Sequence, residues 1–162
     1  MADMNDTGNG LVRRAEAVLR ANGPLWELMR EASAGTAVTG ASYSYYLTLY
    51  EQVRAIRPRE ILECGAGIST GVLAYALMEN AREDGGAPGR VTSMEDDRDW
   101  FETAQVRLPE AVRGVVDLIH SPKVDRFYTC FRGVQYESLP NLRLFPTTEL
   151  KLHMARQDEV EG

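Results

Sequence analysis

The chain predicts an α/β fold: a Rossmann-like, doubly wound, mainly parallel sheet. The sheet is incomplete, with about three to four core strands plus a hairpin, and helices precede it. Three observations predict this. Short apolar segments that end in a polar or acidic residue alternate with segments of helical periodicity. A glycine-rich turn joins the first of those strands to its helix, and clusters of Gly, Pro and charge separate the units. Such alternation builds parallel sheets, because a parallel neighbour is reached only through a crossover, usually a helix.

Residues 1–41 form an N-terminal helical segment. From Leu11 to Asn22, the residues Leu11, Ala15, Val18 and Leu19 share one face, and Asn22-Gly23-Pro24 ends or kinks the run. A second short helix covers Leu25–Ala32, with Trp26 and Met29 on one side, and Thr36 to Ser42 is a linker of small residues. Tyr43, Tyr45, Tyr46 and Tyr50 then open a helix that runs over Tyr45–Ile56. Two uses of these tyrosines stand open. They can roof a ligand pocket, or pack on the sheet with their hydroxyls at the surface.

The most informative stretch is Ile61-Leu62-Glu63-Cys64-Gly65-Ala66-Gly67-Ile68-Ser69-Thr70. It reads as a buried strand, an acid near its end and a glycine turn that opens a helix from Thr70 to about Ala81. The carboxyl end of a parallel strand faces the crevice where ligands bind. Glycines let the backbone bend and let a ligand approach, and the helix N-terminus points free N–H groups the same way. A carboxylate at this point favours a ligand with positive charge or several hydroxyl and amino donors. After the loop Glu83-Asp84-Gly85-Gly86-Ala87-Pro88-Gly89, a strand Arg90–Met94 ends at Glu95-Asp96-Asp97. Its tip should lie beside the first, where Glu95 can accept hydrogen bonds from a ribose diol. Asp97 is expected to cap the helix Arg98–Ala104, and Asp96 to sit in the turn. A third strand, Val115–His120, brings His120 and Ser121 to the same rim. His120 is a rim histidine, and with two histidines in the chain no metal site is read. Arg126 to Leu139 alternates apolar and polar residues around Gly133, as a β-hairpin or extended excursion does.

The dinucleotide-binding fingerprint is G-x-G-x-x-G. Here the pattern is Glu63-x-Gly65-x-Gly67-x-Ser69, and the next glycine, Gly71, falls one position late, which counts against a nicotinamide enzyme. The pattern resembles motif I of the class I S-adenosylmethionine-dependent methyltransferases, and the resemblance covers about Ser42 to Leu139. It implies a cofactor-binding Rossmann-like domain over residues 42–139 and S-adenosylmethionine as cofactor. The cofactor-binding residues would be Glu63, Gly65, Ala66, Gly67, Ser69, Glu95, Asp96 and Ser121, with Ser121 near the adenine edge. It also implies methyl transfer (the EC 2.1.1 class) to a small-molecule acceptor.

The chain departs from the family pattern at its end, where residues 140–162 form an atypical tail. A complete family sheet has seven strands, the fourth lying beside the first with an Asp at its tip. Here Leu142–Phe145 is the candidate fourth strand and carries no such acid; Glu149–Glu159 reads as a charged, weakly amphipathic helix capped by Thr147 or Thr148. The substrate-recognising half, and any general base it would supply, is missing from the pattern. The alternative function is therefore a truncated, non-catalytic, cofactor-binding fragment of a methyltransferase. A first strand without a fourth beside it would expose an unpaired edge. The tail could cover that edge, a second copy could pair with it to form a homodimer, or the fold could be loose.

Composition bounds the rest. A chain of 162 residues that is 44% hydrophobic is one ordinary domain with room for a core. Its net charge of −6, with no basic stripe, argues against nucleic acid as partner. No apolar run approaches the length of a membrane span. The first residues, Met1-Ala2-Asp3-Met4-Asn5-Asp6, resemble neither a signal nor a transit peptide. Cys64 and Cys130 fit a reduced, cytoplasmic setting with no disulfide required.

Overall fold

A computed structural model describes residues 4–34, 42–129, 131–140 and 149–152. Helix α1 (Met4–Ala21) and helix α2 (Gly23–Ser33) meet at Asn22, whose side-chain Oδ1 accepts the Leu25 N–H at 3.3 Å. The Asn-Gly-Pro sequence thus ends one helix and caps the next, with Pro24 where its missing N–H costs nothing. Helix α3 (Tyr43–Ile56) leads into strand β1 (Glu60–Cys64). There follow α4 (Ile68–Asp84), β2 (Arg90–Glu95), α5 (Arg98–Arg107), the single turn α6 (Glu110–Arg113) and β3 (Val116–His120). The hairpin strands are β4 (Lys123–Tyr128) and β5 (Phe131–Tyr136), and the last described strand is β6 (Glu149–Leu152).

The main sheet has the order β3-β2-β1-β6, with every pairing parallel. Winding from β1 to β2 to β3 proceeds one way, and α4 touches α6, so the crossover helices share a face. The direction reverses at β1, which places the topological switch point at that strand's carboxyl end. Four parallel strands with a separate hairpin make this a partial Rossmann-like fold.

The core forms where α4 is sandwiched between the sheet and the N-terminal helices. Val72, Leu73, Ala76 and Leu77 of α4 pack with Ile61, Val91 and Val116 of the sheet and with Leu25, Leu28, Leu49 and Val53 of the preceding helices. The N-terminal segment therefore belongs to the same core as the sheet. Gly71, the late glycine, has a packing reason: a Cβ there would lie 2.8 Å from Leu28 Cδ2. Around this apolar contact runs a polar seam between α3 and α4, in which Arg54 meets Glu79 and Glu83 while Arg57 meets Glu83 and Asp84. The seam is at least partly solvated, so it orients the helices more than it stabilises them.

The tail corrects one expectation. The segment from Glu149 is read from sequence as a charged helix, but Glu149–Leu152 is a parallel strand on β1, with Glu60 opposite Glu149 and Glu63 opposite Leu152. The sequence Glu-Leu-Lys-Leu alternates with a period of two, and the unpaired N–H and C=O groups of β1 outweigh the local helical preference. The expected open edge of β1 is therefore closed by the chain's own tail, and pairing with a second copy is not needed there. The candidate strand Leu142–Phe145, the caps Thr147 and Thr148, the end of the charged segment and Cys130 lie outside the described residues. The hairpin is present, and it begins at Lys123 rather than Arg126.

Candidate cofactor crevice

β1 alternates in burial, so that Ile61 and Glu63 point into the same interior. A glutamate is rarely buried without partners, yet Glu63 is 0% exposed. Three hydroxyls account for this. Ser69 Oγ donates to Glu63 Oε1 at 2.6 Å, while Thr70 Oγ1 and Ser93 Oγ donate to Oε2 at 2.6 and 2.7 Å. Ser69 and Thr70 come from the first turn of α4, and Ser93 lies directly opposite Glu63 in the β1–β2 register. Burial raises the Glu63 pKa, and the neighbouring Glu95 charge adds to the rise against the hydroxyl bonds.

The glycine turn is gripped from two sides. Gly65 has φ +95°, a conformation that favours glycine, and its N–H donates to Met94 O at 2.6 Å, so that it extends the β1–β2 ladder by one bond. The Ala66 N–H donates to Glu95 Oε2 at 3.0 Å, and the Gly67 N–H to Thr70 Oγ1 at 3.0 Å. Gly67 itself is extended, at φ −178°. A Cβ built on Gly65 or Gly67 meets nothing within 4 Å, so both glycines border open space.

Glu95 closes β2 and is buried, with its Oε1 accepting the Asp96 and Asp97 N–H groups at 3.0 Å each. Together with the Ala66 N–H, three backbone N–H groups converge on this carboxylate. Asp97 caps α5 as its sequence position implies, accepting the Trp100 N–H at 2.9 Å. Asp96 pairs with Lys123 Nζ at 3.2 Å, and Lys123 also lies over the Tyr136 ring. His120 faces the Phe101 ring at 5.5 Å.

Ser121 lies beneath the exit of the hairpin. Its N–H donates to Glu95 O at 2.9 Å, and its buried hydroxyl donates to Ser138 O and accepts the Ser138 N–H. On the α3 side, Tyr45 and Tyr46 sense the Glu63 charge. Burial first, and that charge second, push both phenol pKa values up to about 12, so they remain donors at neutral pH and do not serve as bases.

The fold thus brings Glu63, Gly65, Ala66, Gly67, Ser69 and Glu95 around one turn, sets Asp96 beside them and gives Ser121 to the hairpin. Three contributors are not singled out by the motif: Thr70, Ser93 and Lys123. Ser93 carried little signal, because Thr92 beside it is also a hydroxyl and only Val91 and Met94 of that strand are apolar. Among the described residues no three His, Cys, Asp or Glu side chains gather as a metal ion would require, and no helix is long and apolar enough to cross a membrane.

No family model and no curated protein matches the chain. Among solved structures it is similar to the O-methyltransferase TomG from Streptomyces achromogenes, described as involved in tomaymycin synthesis and crystallised in complex with SAM. The two share 26% identity over 59% of this chain and 41% of the other, with a TM-score of 0.44. The chain therefore spans about two fifths of that protein's length.

Proposed function

We propose that the crevice at the carboxyl end of β1 binds S-adenosylmethionine, and that the chain serves methyl transfer to a small molecule. The observation that carries this reading is the reach of Glu95 across to the Ala66 N–H at 3.0 Å, beside glycines that border open space. A ligand lying over Gly65 and Gly67 would meet the Glu95 carboxylate at once. A ribose diol lying there would be positioned against that carboxylate, and the Asp96–Lys123 pair would flank it. Glu63, Glu95 and Asp96 together give the crevice a negative field, which suits a sulfonium cation.

When bound, the cofactor supplies an already activated methyl group. The chain's own part is to bind, orient and exclude water, and alignment of that kind can lower a barrier by about 7–11 kcal/mol.

A second reading, binding without catalysis, has an observation of its own. Both buried acids of the crevice are bonded to the protein's own donors, and the adjacent phenols, pushed up to about 12, are not poised as bases at neutral pH. An acceptor that must lose a proton would need a base from elsewhere.

Calorimetric titration with S-adenosylmethionine and S-adenosylhomocysteine tests the proposal, with Glu95→Ala alongside. We expect micromolar binding that falls at least about tenfold, or about 1.4 kcal/mol, in the variant. A folded protein that binds neither compound would overturn it.

A further inference from the structure

We propose that Glu63 is a positioning residue that acts on a ligand through the glycine turn, with Thr70 as its relay, and is not itself a ligand contact. This deepens the cofactor-binding reading and rests on it for the ligand, though the relay stands in the free protein. The geometry runs in one direction. The Gly67 N–H has only a proton to give and donates to Thr70 Oγ1 at 3.0 Å. Thr70 Oγ1, its lone pair so engaged, donates its own proton to Glu63 Oε2 at 2.6 Å. Ser93 donates to that same oxygen from β2, and Ser69 occupies Oε1. The carboxylate thus lies beneath the turn, with no exposure and three hydroxyls around it.

The arrangement ties three elements together at the switch point: the end of β1, the first turn of α4 and the middle of β2. Charge-assisted bonds of this kind are short and directional, so they fix where the turn's backbone lies. Glu95 grips the neighbouring amide, Ala66 N–H, on its own. Two successive amides of the turn are therefore drawn inward by two different acids, one directly and one through Thr70. What the turn presents to the crevice is then its glycine surface, held at a set height.

The test uses the full chain with Thr70→Val, Thr70→Ser, Glu63→Gln and the double variant Glu63→Gln/Thr70→Val. Thr70→Val keeps the shape of the side chain and removes the relay, while Thr70→Ser retains the hydroxyl. In the free protein, Gly67 amide hydrogen exchange should speed up by about tenfold or more in Thr70→Val and return toward wild type in Thr70→Ser. In titrations with S-adenosylhomocysteine, Thr70→Val and Glu63→Gln should each weaken binding, and the double variant should lose no more than the worse single variant. Additive losses would mean that Glu63 touches the ligand, and would overturn the proposal. Unchanged Gly67 exchange in Thr70→Val would also overturn it. Should Thr70→Val fail to fold, Ser93→Ala removes a different Glu63 partner and is expected to be non-additive with Glu63→Gln in the same way. If the wild-type chain binds no S-adenosylhomocysteine, the cofactor reading fails, and the exchange at Gly67 alone decides the relay.

Discussion

The glycine turn and the β4–β5 hairpin are built from similar mixtures of polar and apolar residues, yet they use them in opposite ways. At the turn, the polar side chains Glu63, Ser69, Thr70, Ser93 and Glu95 are all buried, because each finds its partner among the others or in nearby backbone. On the hairpin three large apolar side chains are exposed: Phe127 at 83%, Phe131 at 60% and Val134 at 60%. Two strands alone have no interior, so side chains away from the base stay in water, while Tyr136 at the base is buried. The hairpin is attached at its base, through Ser121–Ser138, Glu137 N–H to Pro122 O, Tyr136 to Met94 O and Lys123 to Asp96. A polar residue becomes structural where its bonds close, and an apolar residue contributes little where nothing covers it.

Removing an acid from the turn should therefore have the largest effect. Glu63→Ala strips three hydroxyls of their acceptor and leaves a void, and should cost about 3 kcal/mol or more in denaturant unfolding. A loss below about 1 kcal/mol would show that the cluster is not the keystone of this region.

The two glycines of the turn should separate stability from binding. Gly65→Ala forces a side chain into φ +95° and should cost about 1–2 kcal/mol of stability. Gly67→Ala meets no strain and no neighbour in the free protein, so its melting temperature should stay near wild type. Its methyl group nevertheless enters the open space of the crevice, and S-adenosylhomocysteine affinity should fall about tenfold, or about 1.4 kcal/mol. Equal binding by Gly67→Ala would move the ligand away from this turn.

The buried acid also predicts a pH dependence with a definite sign. Because the folded protein raises the Glu63 pKa above its ordinary value of 4.5, the folded state holds that proton more tightly than the unfolded chain does. The stabilisation this provides is fully present below the unfolded pKa and is lost as pH rises through the folded pKa. Asp117, held low by Arg90, and Glu83, held low by Arg54 and Arg57, act with the opposite sign. Both are retained in Glu63→Gln, so the difference in melting temperature between wild type and that variant isolates Glu63. Wild type should gain on the variant as pH falls from 7 towards 4.5, and a flat difference would contradict the burial-driven shift.

The smallest effect is expected on the hairpin. Phe127→Ser should change stability by less than about 0.5 kcal/mol, because the ring is already in water. A loss above 1 kcal/mol that depends on protein concentration would reveal a partner for that surface.

Much of the site could be read from the chain. The strand–turn–helix at Glu63 to Thr70, the second acid at Glu95, the Asp97 cap and the hairpin all follow from local signals: glycine spacing, apolar period and a capping side chain. The tail could not be read, because the charged residues from Glu149 suit a solvated helix until β1 offers an unpaired edge 89 residues away, with Glu63 opposite Leu152. The bonds between Ser121 and Ser138 could not be read either, because Ser138 reaches Ser121 only when the hairpin folds back.

By itself the sequence determined the element order as far as the hairpin, the glycine turn and the two acids flanking it, since each depends on residues within a few positions of one another. Tertiary structure decided what those acids hold. Glu63 met Ser93 and Glu95 met Ala66 only when β2 came to lie beside β1, 30 and 29 residues apart along the chain. Pairing over such separations is set by sheet register and burial, and those exist only once the strands have come together.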